Sequence, residues 1–464
     1  TAIWSNDLSP CTAKMASLVS RSQNGLPFSI KSDKIVIIHL SIIMSTHKTL
    51  FLLCALVLAG TPFLSLKASE NRWPAFRGPD RQGHSQATNV PIEWETKGKI
   101  GWKVPLSLSG WASPVVDQGH IIVSGSREEA GSITLHVASY RLADGILEWE
   151  TKVFEPDPQA IKARHSKNSH SSCTPILANE RIYAHFGHFG TCALDLNNGK
   201  VLWSRVVAYQ PVHGNGGSPS LVDDRLIFSA DGASGPAIYA LNAGNGEILW
   251  KTDRQTDAKK TFSFSTPLSV QVKDQTQVIS PGSGMVGAYD PSDGSLLWRV
   301  DYGEGYSVIP RPILHEGHVF IGTGYDRPKV MAIRLDGATG NLTQSHVAWE
   351  TSRSAPNTPS LIVAENVLFY LSDGGILTCA DPITGKAHWS ERLGGNYSAS
   401  PVSVGSSVYF ISEEGKVSVV HANPEKLEIL AQSELGERTL ASPAILDGTL
   451  LIRSADHLWK MIQP

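Results

Sequence analysis

The stretch Ala380-Asp-Pro-Ile-Thr-Gly-Lys-Ala-His-Trp389 reads as a hairpin: one strand ends on Ala380, Asp381 to Gly385 turn the chain, and a second strand runs out to Trp389. Gly and Asp suit such a turn because glycine takes positive φ at no steric cost and Asp caps the turn backbone. The pattern recurs at Asp144-Gly145, Asn198-Gly199 and Asp293-Gly294, which precede Trp149, Trp203 and Trp298, while Trp250 and Trp349 close two further units. Upstream of each turn lies an apolar strand such as Cys192-Ala-Leu-Asp195, then a Gly-rich turn, then a second apolar strand such as Leu226-Ile-Phe228. A polar turn such as Asp117-Gln-Gly119 leads back to a short first strand headed by a Ser/Thr-Pro pair. Those pairs are Ser113-Pro114, Thr174-Pro175, Ser218-Pro219, Thr266-Pro267, Thr358-Pro359, Ser400-Pro401 and Ser442-Pro443, with Arg311-Pro312 in the remaining place. Their period is about 45 residues, the length of four hairpin-linked strands in a propeller blade. The sequence therefore predicts an all-β fold, an eight-bladed β-propeller of four-stranded antiparallel blades over residues 106–464.

The last unit stops at three strands, ending Leu458-Trp-Lys-Met461, and a lone strand, Gly101-Trp102-Lys-Val104, stands in the N-terminal segment 69–105. Pairing the two closes the ring and removes an open sheet edge. Trp102, Trp149, Trp203, Trp250, Trp298, Trp349, Trp389 and Trp459 form a structural girdle, each flat ring wedged between neighbouring blades. The seventh unit reads Lys426-Leu-Glu-Ile-Leu430 where the Trp belongs, which predicts a looser interface. The first unit carries an insertion at about 125–172, with Phe154-Glu-Pro-Asp-Pro158, His165 and His170. A loop of that length is a functional lip or a tolerated extension.

With 40 basic against 43 acidic residues the chain lacks the cationic excess that a nucleic-acid partner demands. Residues 1–43 show no repeat and read as a leader upstream of the true start at Met44. His47 and Lys48, the apolar run Leu50 to Gly60 and the small-residue exit near Ala68 then compose a signal peptide over 44–68. Pro62 and the charged start interrupt what a spanning helix of about 20 apolar residues needs. The expectation is a secreted or periplasmic protein, not integral to the membrane after cleavage. Cys11 falls in the leader and Cys54 in the apolar core of the signal peptide, and Cys173, Cys192 and Cys379 leave an odd number, so disulfides do not frame the fold.

Gly282-Ser-Gly284-Met-Val-Gly287 matches a dinucleotide fingerprint, but a strand follows where the phosphate-binding helix belongs. His165, His170, Cys173, His185, His188 and Cys192 are dense enough to suggest zinc or copper, yet strand alternation and non-adjacent strands separate them, so no metal site is expected. Asp195-Leu-Asn-Asn198 and Asp290-Pro-Ser-Asp293 lack the spacing of a Ca²⁺ loop and read as hairpin turns. The candidate binding residues precede the Ser/Thr-Pro pairs, where loops converge on the axis. They are Trp111, His170, His213, Asn215, Phe264, Tyr306, Arg311, Asn357 and Tyr397, a set suited to an anionic or planar ligand or an extended peptide. No residue is assigned a catalytic role.

The repeated Ala-x-Asp-x-x-x-Gly-x-x-x-Trp pattern and the opening Trp73-Pro-Ala-Phe-Arg-Gly-Pro79 resemble the pyrroloquinoline-quinone-like repeat family of eight-bladed propellers, its secreted members above all. The resemblance covers nearly all of the chain after residue 69. It implies one fold with several uses: quinoprotein dehydrogenases, a non-enzymatic lipoprotein of the outer-membrane barrel-assembly machinery, and sensor domains of bacterial kinases. In the dehydrogenases the resemblance implies a quinone on the axis over a Trp, Ca²⁺ on acidic and amide side chains and a vicinal Cys-Cys disulfide. This sequence contains no Cys-Cys pair, no Cys-x-x-Cys-His site and no kinase motif, and Cys54 lacks the small residue that precedes an acylated Cys. The expectation is a monomeric, non-catalytic binding or scaffolding propeller without a cofactor, meeting an envelope protein or small ligand at its axis. The alternative is an oxidoreductase using pyrroloquinoline quinone with Ca²⁺.

Overall fold

The computed structural model describes residues 71–95, 99–161 and 164–463. Residues 1–68, read from sequence as a leader and a signal peptide, lie outside them, Cys11 and Cys54 included. Ala68–Pro464 forms one compact unit. Blade 6 shows how the repeat folds. Ile362–Ala364, Val367–Leu371, Ile376–Ala380 and Ala387–Arg392 pair antiparallel in chain order. The second strand is buried at every position because blades cover both its faces, whereas in the outermost strand Trp389 is the buried residue. Outermost strands that carry a Trp have a bulge beside it, which in four blades sets the ring opposite Ala193, Ala240, Ala332 or Cys379.

Eight such sheets form among the described residues, and Lys99–Pro105 pairs antiparallel with His457–Ile462 to complete the last. The buried Arg453 reinforces this closure, donating from Nη1 to the carbonyls of Ala112 (3.1 Å) and Ser124 (2.7 Å) and from Nη2 to that of Leu108 (3.0 Å). The joint between blades 8 and 1 is thus tied by a ladder and by a side chain.

The indole nitrogens reach the turn of the following blade. Trp203 donates to Ala243 O at 3.0 Å, and Trp250, Trp349 and Trp389 donate to Pro291, Pro382 and Asn423 O at 2.9 Å each. Trp102 does the same to Leu142 O at 3.2 Å, while Trp149 lies over Gly199. Gly385 has φ +70°, and a Cβ there would sit 2.4 Å from the Trp349 ring, so backbone and packing both demand glycine. Two tryptophans differ. Trp298 donates to Gln277 Oε1 in its own blade, because Gly340–Asn341 adds a parallel fifth strand beside it. Trp459 stands on a third strand and donates to Ser454 Oγ within its own blade.

Blade 7 departs from the expectation of a loose interface. His84–Ser85 adds a parallel strand to Val402–Val404, and the segment beyond it fills the gap. Trp94, Val90 and Ala87 join one hydrophobic cluster with Val417, Val419 and Leu435 of blade 7 and Leu446, Leu450 and Met461 of blade 8. A tryptophan distant in sequence supplies the apolar volume that Lys426–Leu430 lacks.

Blade 6 also corrects a register. In the other seven units the first strand begins directly after the proline, but here it begins at Ile362, so Ser360-Leu361 takes the entry position and Pro359 lies earlier. The insertion of blade 1 extends its central strands to His120–Glu129 and Ser132–Arg141. The chain that follows crosses the axial mouth. His165 N and Asn168 Nδ2 both donate to His213 O, before blade 3, and Lys167 Nζ meets Glu413 of blade 7 at 2.7 Å.

Candidate binding site at the axial mouth

The first strands pair with no neighbouring blade toward the axis, so their entry N–H groups need other acceptors. The repeated hydroxyl supplies them. Ser113 N donates to Thr174 Oγ1 (3.1 Å), Thr174 N to Ser218 Oγ (2.8 Å) and Ser218 N to Thr266 Oγ1 (3.0 Å). A second arc runs from Arg311 N to Ser360 Oγ (2.9 Å), Ser360 N to Ser400 Oγ (3.1 Å) and Ser400 N to Ser442 Oγ (2.8 Å). The Ser/Thr-Pro repeat is therefore a device for joining blades around the axis, and Arg311 stands where the arcs part.

Above these hydroxyls lies a cavity of about 350 Å³. Trp111, Phe264, Tyr306 and Tyr325 supply aromatic walls, His165, Lys167, Asn168 and His213 come from the crossing loop and its partner, and Phe76 belongs to the lining from the N-terminal segment. Burial works to lower the Lys167 ammonium, and the Glu413 carboxylate outweighs it, holding it above its ordinary value. Glu413 also accepts from Ser398 Oγ at 2.6 Å, and Asp373 accepts from Thr358 Oγ1 at 2.9 Å and Asn357 N at 2.9 Å. Among the described residues no carboxylate lines the cavity.

Of the nine residues singled out from sequence, the structure brings Trp111, His213, Phe264 and Tyr306 together at the mouth. The other five lie elsewhere. Asn215 is buried, donates from Nδ2 to Phe186 O (2.7 Å) and accepts from Tyr209 Oη (3.3 Å). His170 packs between Arg164 (3.2 Å) and Glu128 (3.6 Å) on a separate cavity of about 430 Å³ beside Ile133 and Ile161. Tyr397 is fully buried among Phe369, Leu371, Val408 and Phe410 between blades 6 and 7. Asn357 is half-buried in the Asp373 turn, and Arg311 sits beneath the mouth cavity, its guanidinium turned away onto Phe76 O, Pro267 O and Ser220 Oγ. Residues before an entry strand alternate between the axis and the neighbouring blade, and spacing from a proline does not set that phase. Phe76, Lys167, Asn168 and Tyr325 were missed. Phe76 lies inside the Trp73–Pro79 motif, and the loop residues follow His165, so both had a signal in the sequence.

Among the described residues no group of three His, Cys, Asp or Glu is placed to hold a metal. Burial lowers His185 to about 3, leaving a neutral core imidazole on Thr191 Oγ1 at 2.8 Å. Burial also raises the free thiols of Cys173 and Cys379 to about 12, which makes them inert. No helix among the described residues is long and apolar enough to cross a membrane.

The family model described as outer membrane protein assembly factor BamB matches residues 84–234 and 234–460. Outer membrane protein assembly factor BamB of Yersinia pestis is 22% identical over 275 residues, which cover 57% of this chain and 67% of that protein. Tetrathionate hydrolase of Acidithiobacillus ferrooxidans is 26% identical over 255 residues, 51% of this chain and 48% of the hydrolase. The chain thus spans about half the length of that relative. Among solved structures, quinohemoprotein alcohol dehydrogenase from Comamonas testosteroni superposes with a TM-score of 0.63 at 13% identity, over 86% of this chain and 81% of that chain. That likeness shows a shared fold and nothing finer.

Proposed function

The chain belongs to the repeat-propeller family described as outer membrane protein assembly factor BamB, and from that premise we propose that it is a non-catalytic binding or scaffolding propeller of the cell envelope, working through its axial mouth. The observation that carries this reading is the lining of that mouth: hydroxyls, aromatic faces and a crossing loop, with no carboxylate among the described residues. Such a surface suits an extended segment of a partner protein. Side-chain hydroxyls and the Asn168 amide meet a peptide main chain, and Trp111, Phe264 and Tyr306 take its side chains. A cavity of about 350 Å³ admits a few residues of such a segment.

The dehydrogenase relatives imply pyrroloquinoline quinone with Ca²⁺ on the axis, and the residues here do not fit that pair. Ca²⁺ takes six to eight oxygens, carboxylates prominent among them. At this mouth Glu413 is engaged by Lys167 and Ser398, Asp373 by its own turn, and Phe76 occupies part of the lining. No catalytic step is therefore derived through a quinone. The test is calorimetric titration of the purified chain from about residue 69 with pyrroloquinoline quinone, with and without Ca²⁺, followed by dye reduction over alcohols and sugars. In parallel, a photo-crosslinker at Tyr306 is activated in the intact envelope. The expected result is no quinone binding, with a discrete protein adduct that Trp111→Ala abolishes. Stoichiometric, Ca²⁺-dependent quinone binding with dye turnover overturns the proposal.

A further inference from the structure

The end of the axis opposite the mouth is closed by the N-terminal segment. Trp73 bridges Val116 of blade 1, Pro74 O accepts from Leu177 N of blade 2, and Gln82 Oε1 accepts from Leu314 N of blade 5. Gly83 O accepts from Ser403 N of blade 7, and Thr88 bonds Asp447 of blade 8. The segment thus spans the ring of first strands. Where it crosses the axis it brings Arg77 and Arg81 toward Arg311 of blade 5.

These guanidiniums are poorly provided for. Arg77 is 0% and Arg311 2% exposed. Arg311 donates from Nη1 to Phe76 O (2.9 Å) and from Nη2 to Pro267 O (2.8 Å) and Ser220 Oγ (3.2 Å), and Arg77 donates from Nη2 to Pro401 O (3.3 Å). Nε of Arg311, Nε and Nη1 of Arg77 and Nη1 of Arg81 are sealed from solvent without an acceptor. Among the described residues Asp80 is the carboxylate that acts on the group, and it is already engaged by His84 Nδ1 and the backbone N–H groups of Gln82 and Gly83. Burial lowers Arg77 to about 9, and burial together with Arg81 and Arg77 lowers Arg311 well below its ordinary value. Arg77 (φ 64°) and Arg81 (φ 66°) moreover hold left-handed backbone, a conformation costly for residues with a Cβ.

Two sealed guanidiniums and the half-buried Arg81 share one exposed carboxylate, which leaves a positive excess, and a buried charge is tolerated when it is paired. We infer that the floor of the axis is a binding site for a small inorganic anion, held between Arg77 and Arg311 with Arg81 beside them, and that this anion locks the N-terminal segment onto the blades. The unused N–H groups are its ligands. Two of the three arginines come from the segment and one from blade 5, so the anion joins parts of the chain more than 200 residues apart.

The test uses the unmodified chain. Crystals soaked in bromide are examined for anomalous scattering, and melting curves are recorded in chloride, bromide, sulfate and phosphate against gluconate at matched ionic strength. The expected result is an anomalous peak within hydrogen-bond distance of the Arg77 and Arg311 guanidiniums. The melting temperature rises with the concentration of at least one small anion and stays flat in gluconate, and the most effective anion identifies the natural class, halide or oxyanion. Proteolysis between residues 72 and 85 slows in parallel. Arg311→Met abolishes the anion dependence if the variant folds, and the wild-type measurements decide the matter if it does not. Absence of the peak, or melting curves that superimpose in all salts, overturns the proposal.

Discussion

Arg254 and Arg311 solve the same problem with different means. Both guanidiniums are buried, one at the seam of blades 3 and 4, the other at the floor of the axis. Arg254 Nε donates to Asp231 Oδ1 at 2.8 Å, and its remaining nitrogens reach Ser229 Oγ (2.9 Å), Ser280 Oγ (2.6 Å) and Ser280 O (2.9 Å). Burial opposes its charge and Asp231 outweighs burial, so this guanidinium is held above its ordinary value. Arg311 meets neutral oxygens and other cations, and is pushed the other way. Burial alone does not decide whether a charge is comfortable; the sign of what is buried with it does.

The largest expected effect breaks the Arg254–Asp231 pair. Asp231→Ala leaves Arg254 buried without its carboxylate and costs about 3–5 kcal/mol in denaturant unfolding, while the double change Arg254→Met with Asp231→Leu recovers much of that loss. A cost below about 1 kcal/mol for the single variant removes the contrast. Next is a buried group that avoids charge altogether. His185 titrates near 3 in the fold against 6.5 when exposed, so its stability contribution is complete above 6.5 and is lost as pH falls toward 3. The loss is about 3 kcal/mol by pH 4, and His185→Phe flattens that acid limb of the stability curve.

Arg311→Met is expected to cost less than Asp231→Ala, about 1–2 kcal/mol in gluconate, because it frees three neutral acceptors and also removes a repulsive charge. Equal losses for the two variants erase the distinction drawn between the sites. The smallest effect belongs to the partly exposed pair at the mouth. Lys167→Met costs about 0–1 kcal/mol, as solvent screens Lys167 and Glu413, yet it weakens partner cross-linking at Tyr306. Unchanged cross-linking places the partner away from the crossing loop.

The candidate site was legible in part. Trp111, His213, Phe264 and Tyr306 were found from their place before an entry strand, but the same rule chose Tyr397, which faces the blade 6–7 interface, and Asn215, which serves a loop. Side-chain phase depends on how a blade leans on its neighbour, and no local pattern records that. Thr358-Pro359 misled for a related reason: the dipeptide matches the repeat, yet the hydroxyl chain around the axis selects Ser360. The gap at blade 7 was visible as a missing Trp. Its remedy, Trp94, was not, since filling a volume leaves no signature at the position that lacks it.

The amino-acid sequence by itself determined the number of blades, the hairpin turns within them and the strand that closes the ring. Each of these is recorded in a local stretch of sequence: positive φ at Gly, alternation along a strand, and a lone strand matching the edge the last unit leaves unpaired. Tertiary structure alone decided where the crossing loop lies over the mouth, which aromatic residues face it, and that Arg311 donates to Phe76 O at the floor. Those outcomes join residues far apart in the chain, and they follow from volume and charge in a space that exists once all eight blades have closed around it.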